Sequence, residues 1–157
     1  MLRATILLPA LLTTLAAAAP SWLAQRADSC AGDKSVAGYC TPISYTDVTT
    51  SSSSSAPSSS DCQQTCQSIL TDAGDWGVDF TGQPAGYRDE MYLGKCGFGI
   101  ARETDSDTSQ FSFSVNNQDI VDVVGESINR FAGQHGGKVK AEGTMNCSGH
   151  VVRWFVG

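Results

Sequence analysis

Residues 111–131 read FSFSVNNQDIVDVVGESINRF, and the spacing of apolar residues changes period inside that stretch. Phe111, Phe113 and Val115 alternate with serines, the two-residue repeat of a strand with one buried face. Ile120, Val124, Ile128 and Phe131 follow at spacings of four, four and three, an apolar stripe along one side of a helix. Asn116 and Asn117 are both good N-caps, and Asp119 and Asp122 sit in the first turns, where the helix dipole favours negative charge. Gly133 is placed to end the helix. Upstream, Ser60-Asp61-Cys62-Gln63 fits a capping box, and Cys62, Cys66, Ile69 and Leu70 continue at helical spacing as far as Gly74. Trp76, Val78 and Phe80 alternate as a strand, and Thr81 to Gly86 reads as a turn. Met91, Leu93, Cys96, Phe98 and Ile100 read as one further alternating run, and the polar tract from Glu103 to Ser109 as a hairpin loop. Downstream, Val139 to Cys147 and Val152 to Val156 are two strands joined by a turn at Ser148-Gly149-His150. The order predicts an α+β fold with two helices packed on a mainly antiparallel sheet.

The length of 157 residues suits one such domain. Residues 1–19 read as a secretory signal peptide: Arg3 gives a positive start, Ala4 to Ala19 is apolar, and Ala16-Ala17-Ala18 offers small residues for cleavage. A span of the bilayer needs about 20 apolar residues, and Pro20 cuts this run short. Removing residues 1–19 takes away Arg3 and no acid, leaving 9 Lys plus Arg against 16 Asp plus Glu, a net charge of −7. An acidic exported chain has no electrostatic reason to seek nucleic acid or an anionic membrane, and a soluble monomer is expected. Residues 20–46 form a short cysteine-bearing segment. Residues 47–59 form a Ser/Thr-rich loop that can bury little and could carry O-glycans. The compact domain is expected over residues 60–157.

The cysteines, Cys30, Cys40, Cys62, Cys66, Cys96 and Cys147, are even in number and all follow the leader. In an oxidising compartment they should form three disulfides, with 15 pairings open. Cys62 and Cys66 lie four apart on a helix, pointing the same way, so each should bond elsewhere. A zinc site is disfavoured because no C-x2-C pair is present.

Candidate chemistry is sparse. Asp119, Asp122 and Glu126 share a helix face, and paired carboxylates can hydrolyse glycosidic bonds; the simpler reading is a solvated face, with Asp119 bonding backbone donors at the strand-to-helix turn. His135, in the glycine-rich run Gly133 to Gly137, and His150 are loop histidines without ligand spacing. Asp105-Ser106-Asp107 lacks the glycine and glutamate of a calcium loop. Lys138 and Lys140 could join Arg130 and Arg153 in a basic patch, and Trp76, Tyr87 and Tyr92 could stack on sugars, although strand aromatics are more often core. Asn146-Cys147-Ser148 fits the glycosylation sequon around a cysteine expected to be bonded. No residue is assigned a catalytic, cofactor-binding or metal-ligating role.

One ordered set of strings goes further: Asp61-Cys62-Gln63-Gln64, Gly94-Lys95-Cys96-Gly97-Phe98-Gly99, Val115-Asn116-Asn117-Gln118-Asp119-Ile120-Val121-Asp122, Ser127-Ile128, Phe131, Gly143-Thr144-Met145-Asn146-Cys147 and Val152-Arg153-Trp154. It resembles the necrosis-inducing factor family of fungi, secreted effectors homologous to extracellular protein two of the tomato leaf-mould fungus. The resemblance covers residues 60–157 with Tyr39-Cys40 upstream. It implies a secreted, extracellular, non-enzymatic virulence factor without cofactor, binding an unidentified host plant protein or cell-surface component. It also implies an α/β sandwich like that of the smut-fungus killer toxins of the KP-four type, and hence, as the alternative, action on competing fungi. Cys40, Cys62, Cys96 and Cys147 match the family pattern. By subtraction, the resemblance pairs the additional Cys30 with Cys66. Where this chain has Asn116 the family usually has glycine, a position Asn could fill even at positive φ.

Overall fold

A computed structural model describes residues 29–50, 55–72, 74–103 and 110–157. The expected leader, the middle of the serine tract and Asp105-Ser106-Asp107 fall outside the described residues. The strands are β1 (Cys40–Pro42), β2 (Thr46–Asp47), β3 (Trp76–Asp79), β4 (Arg88–Tyr92), β5 (Phe98–Arg102), β6 (Ser112–Val115), β7 (Ala141–Cys147) and β8 (His150–Val156). Helix α1 spans Ser59–Thr71 and α2 spans Asn117–Phe131. Six strands make one antiparallel sheet in the order β1-β7-β8-β5-β4, with β2 beside β1 along the same edge of β7; β3 and β6 pair separately. The architecture is the α+β class expected from the sequence.

The core lies between the two helices and one face of the six-stranded sheet. Trp154, Met145, Val152, Val156, Phe98 and Ile100 come from the sheet, Cys62, Cys66 and Ile69 from α1, and Ile120, Val121, Val123 and Val124 from α2. The buried face of α2 is thus wider than the expected stripe, whose outer members Ile128 and Phe131 are only partly buried. Ser127 is fully buried too, and its hydroxyl donates to Val123 O at 2.7 Å, which satisfies it. The opposite face of the sheet carries Glu142 and Phe155, Thr144 and Arg153, and Asn146 and Val151 as cross-strand pairs. There Arg153 bonds Glu142 at 3.0 Å, and the Arg88 guanidinium lies over the Phe155 ring at 3.1 Å.

Four local expectations change. The N-cap of α1 is Ser58, not Ser60: Ser58 Oγ accepts from Asp61 N at 3.1 Å, and Asp61 Oδ2 accepts from Ser58 N at 3.1 Å. Any serine in that run can cap. Tertiary bonds choose among them, because Ser59 N donates to Gly137 O at 2.7 Å and Val139 N to Pro57 O at 3.0 Å. The run from Met91 to Ile100 is not one strand but the β4–β5 hairpin, turning through exposed Leu93, Gly94 and Lys95. β5 and β6, on either side of the polar tract after Glu103, do not pair as a hairpin but belong to different sheets. Finally, the compact domain takes in residues 29–50. Cys40 and Pro42 register with Cys147 and Met145, Val48 N donates to Lys140 O at 3.0 Å, and Ala56 and Pro57, inside the expected loop, are buried.

Three disulfides close the scaffold: Cys30–Cys66, Cys40–Cys147 and Cys62–Cys96. Cys40–Cys147 joins cross-strand neighbours 107 residues apart in sequence. Cys62–Cys96 fastens α1 to the turn before β5, where Thr65 Oγ1 also donates to Cys96 O at 2.8 Å.

Candidate functional site: a loop held by the first turn of the second helix

The string Asn116-Asn117-Gln118-Asp119 carries much of the resemblance, and each of its side chains reaches a neighbouring segment. Asn116 is the N-cap of α2. Its Oδ1 accepts from Asp119 N at 2.8 Å and its Nδ2 donates to Ala37 O at 3.0 Å. Its φ is −91°, so this position makes no demand for glycine here. Asn117 accepts from Trp76 Nε1 at 2.6 Å and donates to Asp72 O at 2.8 Å, tying the start of β3 to the end of α1. Gln118 Nε2 donates to Ala31 O at 3.2 Å and to Asp122 Oδ1 at 2.5 Å. Asp119 closes the capping box and reaches further: its Oδ2 accepts from Asn116 N and from Tyr39 N, both at 3.0 Å. Asp122 in turn meets Lys34.

The contacts of Asn116, Gln118, Asp119 and Asp122 fall on one segment, residues 31–39. It is fixed at one end by Cys30–Cys66, at the other by Cys40–Cys147, and between them by α2. Two glycines make the close approach possible. A Cβ on Gly38 would stand 2.1 Å from Asp119 Oδ1, and one on Gly32, at φ +57°, 2.1 Å from Gln118 Oε1. Burial is the largest influence on Asp119 and pushes its carboxyl above the ordinary carboxylate range; N–H bonds from Asn116, Tyr39 and Cys40 oppose it, and Asp122 adds to the rise.

So the three acids of α2 do not share one cleft: Asp122 and Glu126 border a pocket beside Cys30, but Asp119 is not in its wall. Asp119 is 5% exposed and filled by backbone donors, Asp122 holds Lys34 and Gln118, and Glu126 accepts from Arg130 Nε at 2.7 Å. The histidines are also separate. His135 Nε2 stands 2.5 Å from Asp47 Oδ2, joining β2 to the turn after α2, and His150 stacks on Phe111 at 4.0 Å. Arg130 lies over the ring of Tyr45, which packs on core Trp154, whereas Arg153 is on the opposite sheet face; no common basic patch forms with Lys138 and Lys140. Trp76, Tyr87 and Tyr92 are partly buried against the core rather than set out as one platform. Asn146 is exposed, and its Oδ1 accepts from Gly149 N at 3.0 Å beside bonded Cys147. Among the described residues, no cluster of three His, Cys, Asp or Glu side chains could hold a metal ion, and no helix is long and apolar enough to cross a membrane.

The segment presents apolar side chains outward beside exposed Asp33, Lys34 and Ser35. Val36 is 49% and Tyr39 48% exposed, and Leu70, near the end of α1, is 37% exposed. Asp33, Val36, Leu70, Gly74, Asp75 and Asn117 line a surface pocket of about 270 Å³. A second pocket, of about 250 Å³, lies against Cys30, Lys34, Asp122 and Glu126. Sequence reasoning missed this surface. The available signal was Gly32 and Gly38 between two cysteines only ten residues apart, the mark of a short loop pinned close to its support.

Fold and site together define a small cystine-pinned α+β domain whose most distinctive motif holds a surface loop rather than a reacting group. A family model, "Hce2: pathogen effector; putative necrosis-inducing factor", matches residues 39–147, and the chain belongs to that family. It is also 34% identical over 119 residues to the "Probable chitinase LysM18" of Penicillium expansum. That match takes in 73% of this chain but spans only 8% of the relative's length.

Proposed function

We propose that this protein is a secreted, extracellular fungal effector that binds a host plant protein or cell-surface component and promotes necrosis or modulates defence, without turning over a substrate. The observation that carries the reading is the fastening of residues 31–39. Asn116, Gln118 and Asp119, polar groups that another fold could have used for chemistry, instead grip backbone of a loop that carries exposed Val36 and Tyr39. A loop positioned by a rigid scaffold is a common setting for recognition. Family membership supports the effector role, and three disulfides support an oxidising, extracellular destination reached after loss of a leader at residues 1–19.

The test is infiltration of leaves with the oxidised mature protein, its reduced and alkylated form, and Gly38→Val. The oxidised form should elicit cell death or altered defence. Loss of the response on reduction and in Gly38→Val, with the Gly38→Val core still folded by circular dichroism, supports the displayed loop. Equal activity of all three forms overturns it. The similarity to a stretch of a protein named a chitinase favours a second reading, action on the walls of competing fungi. Inhibition of fungal growth with no response in leaves would select it.

A further inference from the structure

We infer that the pocket between residues 33–39, the end of α1 and the start of α2 receives an extended segment of a protein partner that sets an apolar side chain next to a lysine or arginine. The inference rests on the reading of residues 31–39 as the recognition surface and adds the chemistry of what that surface takes.

Three observations lead there. The first is size. At about 270 Å³ the pocket lies at the lower edge of the ~300–1,000 Å³ usual for small-molecule sites, with room for one or two side chains of a polypeptide. The second is which groups in its wall already have partners. The amide donors of Asn116, Asn117 and Gln118 are directed to Ala37 O, Asp72 O and Ala31 O. Few side-chain donors are left there for a neutral polar ligand such as a sugar. The chemistry still turned outward is the apolar surface of Val36 and Leu70 and the carboxylates of Asp33 and Asp75.

The third is charge. Hydrogen bonds from Ser35, both side chain and backbone, hold the Asp33 carboxyl below its usual range, so it is ionised at any physiological pH. Asp75 accepts from the Tyr39 hydroxyl at 3.1 Å, and that hydrogen bond, with the charge of Asp75 behind it, raises the pKa of the phenol. Asp72 stands at the end of α1 beside the pocket, and the neighbouring cation, Lys34, is held by Asp122. An anionic membrane or an acidic polysaccharide would be repelled by this rim, whereas a cationic side chain flanking an apolar one satisfies both features and is steered in by the same field. Tyr39 adds an aromatic anchor at the edge.

The experiment uses the oxidised protein, uniformly ¹⁵N-labelled, titrated with short peptides that alternate Leu with Arg, Leu with Glu, and Ser with Arg. The Leu/Arg peptide should move the amide signals of residues 33–39, Leu70, Asp75 and Asn117, and leave those of β4 and β8 in place. Asp33→Asn with Asp75→Asn keeps the hydrogen-bond acceptors and removes the charges. That variant should bind about tenfold more weakly, and added salt should erode wild-type binding by a similar factor. Equal binding of the Leu/Glu peptide, binding of Ser/Arg as tight as Leu/Arg, or signals moving elsewhere would each overturn the inference. The leaf assay separates this failure from that of the wider reading. A response lost in Val36→Ser but retained in Asp33→Asn/Asp75→Asn rejects the basic partner and leaves the surface standing. An inactive wild type rejects the effector role, while the peptide titration still decides the chemistry of the pocket.

Discussion

The β7–β8 hairpin and residues 31–39 are held by opposite means. One face of the hairpin is dry: Met145, Val152, Trp154 and Val156 are fully or almost fully buried, and seven consecutive pairs register between its strands. The loop has little apolar burial; its hold comes from two covalent brackets and a few polar bonds to one helix turn. Burial scales with area and spreads its effect over the whole fold, whereas point fastenings act locally. The contrast teaches that stability and display are separable in part: the side chains that fill the core are not the helix-turn residues that grip the loop, although the bracketing cystines belong to both.

The largest effect should come from the dry region. Trp154→Ala removes a buried ring and its Nε1 bond to Thr144 O, and should cost about 3–5 kcal/mol in chemical denaturation, loosening loop and core together. Replacing Cys40 and Cys147 together by serine should cost about 2–5 kcal/mol, because that bridge serves both regions. Asp119→Ala strands the Tyr39 and Asn116 N–H groups and should cost about 1–3 kcal/mol. Its signature is faster amide exchange across residues 33–40 with the β7–β8 amides unchanged; equal acceleration in both would erase the distinction drawn above.

The pH response of Asp119 sharpens the point. Its folded pKa is raised above 3.8, so its protonated form is favoured in the folded state. That contribution is complete below 3.8 and is lost as pH rises through the folded value. The wild type should therefore lose ground against Asp119→Asn as pH climbs from 3.8, and a difference moving the other way would show that the backbone donors outweigh burial. Asp61 runs opposite. Hydrogen bonds from Ser58 lower its pKa, so its contribution is present above 3.8 and fades as pH falls. The smallest effect is expected at Glu126→Ala, an exposed i,i+4 pair with Arg130, at under about 0.5 kcal/mol.

Much of the dry half was legible from residue order alone. The period change at Asn116 located α2, and alternation on either side of Ser148-Gly149 located the closing hairpin, because burial on one face writes itself directly into sequence. The edge contributed by β1 and β2 was not legible. Three and two residues of strand are too short for a period to emerge, and what holds them is register with distant β7. The split between β4 and β5 was hidden because Leu93 continues the apolar alternation although it faces solvent. At the site, the role of Asp119 as acceptor of backbone donors could be anticipated from its place after two N-cap candidates. Its second partner, Tyr39 N, is 80 residues away and left no trace in local pattern.

The two brackets around residues 31–39 have a bearing on survival among proteases. If a peptide bond between Cys30 and Cys40 is cut, the upstream piece stays attached to the body through Cys30–Cys66, and the downstream stub, continuous with the rest of the chain, stays pinned at Cys40 to Cys147. A single nick in this exposed stretch thus releases no fragment, and the severed ends remain beside the helix turn that grips them.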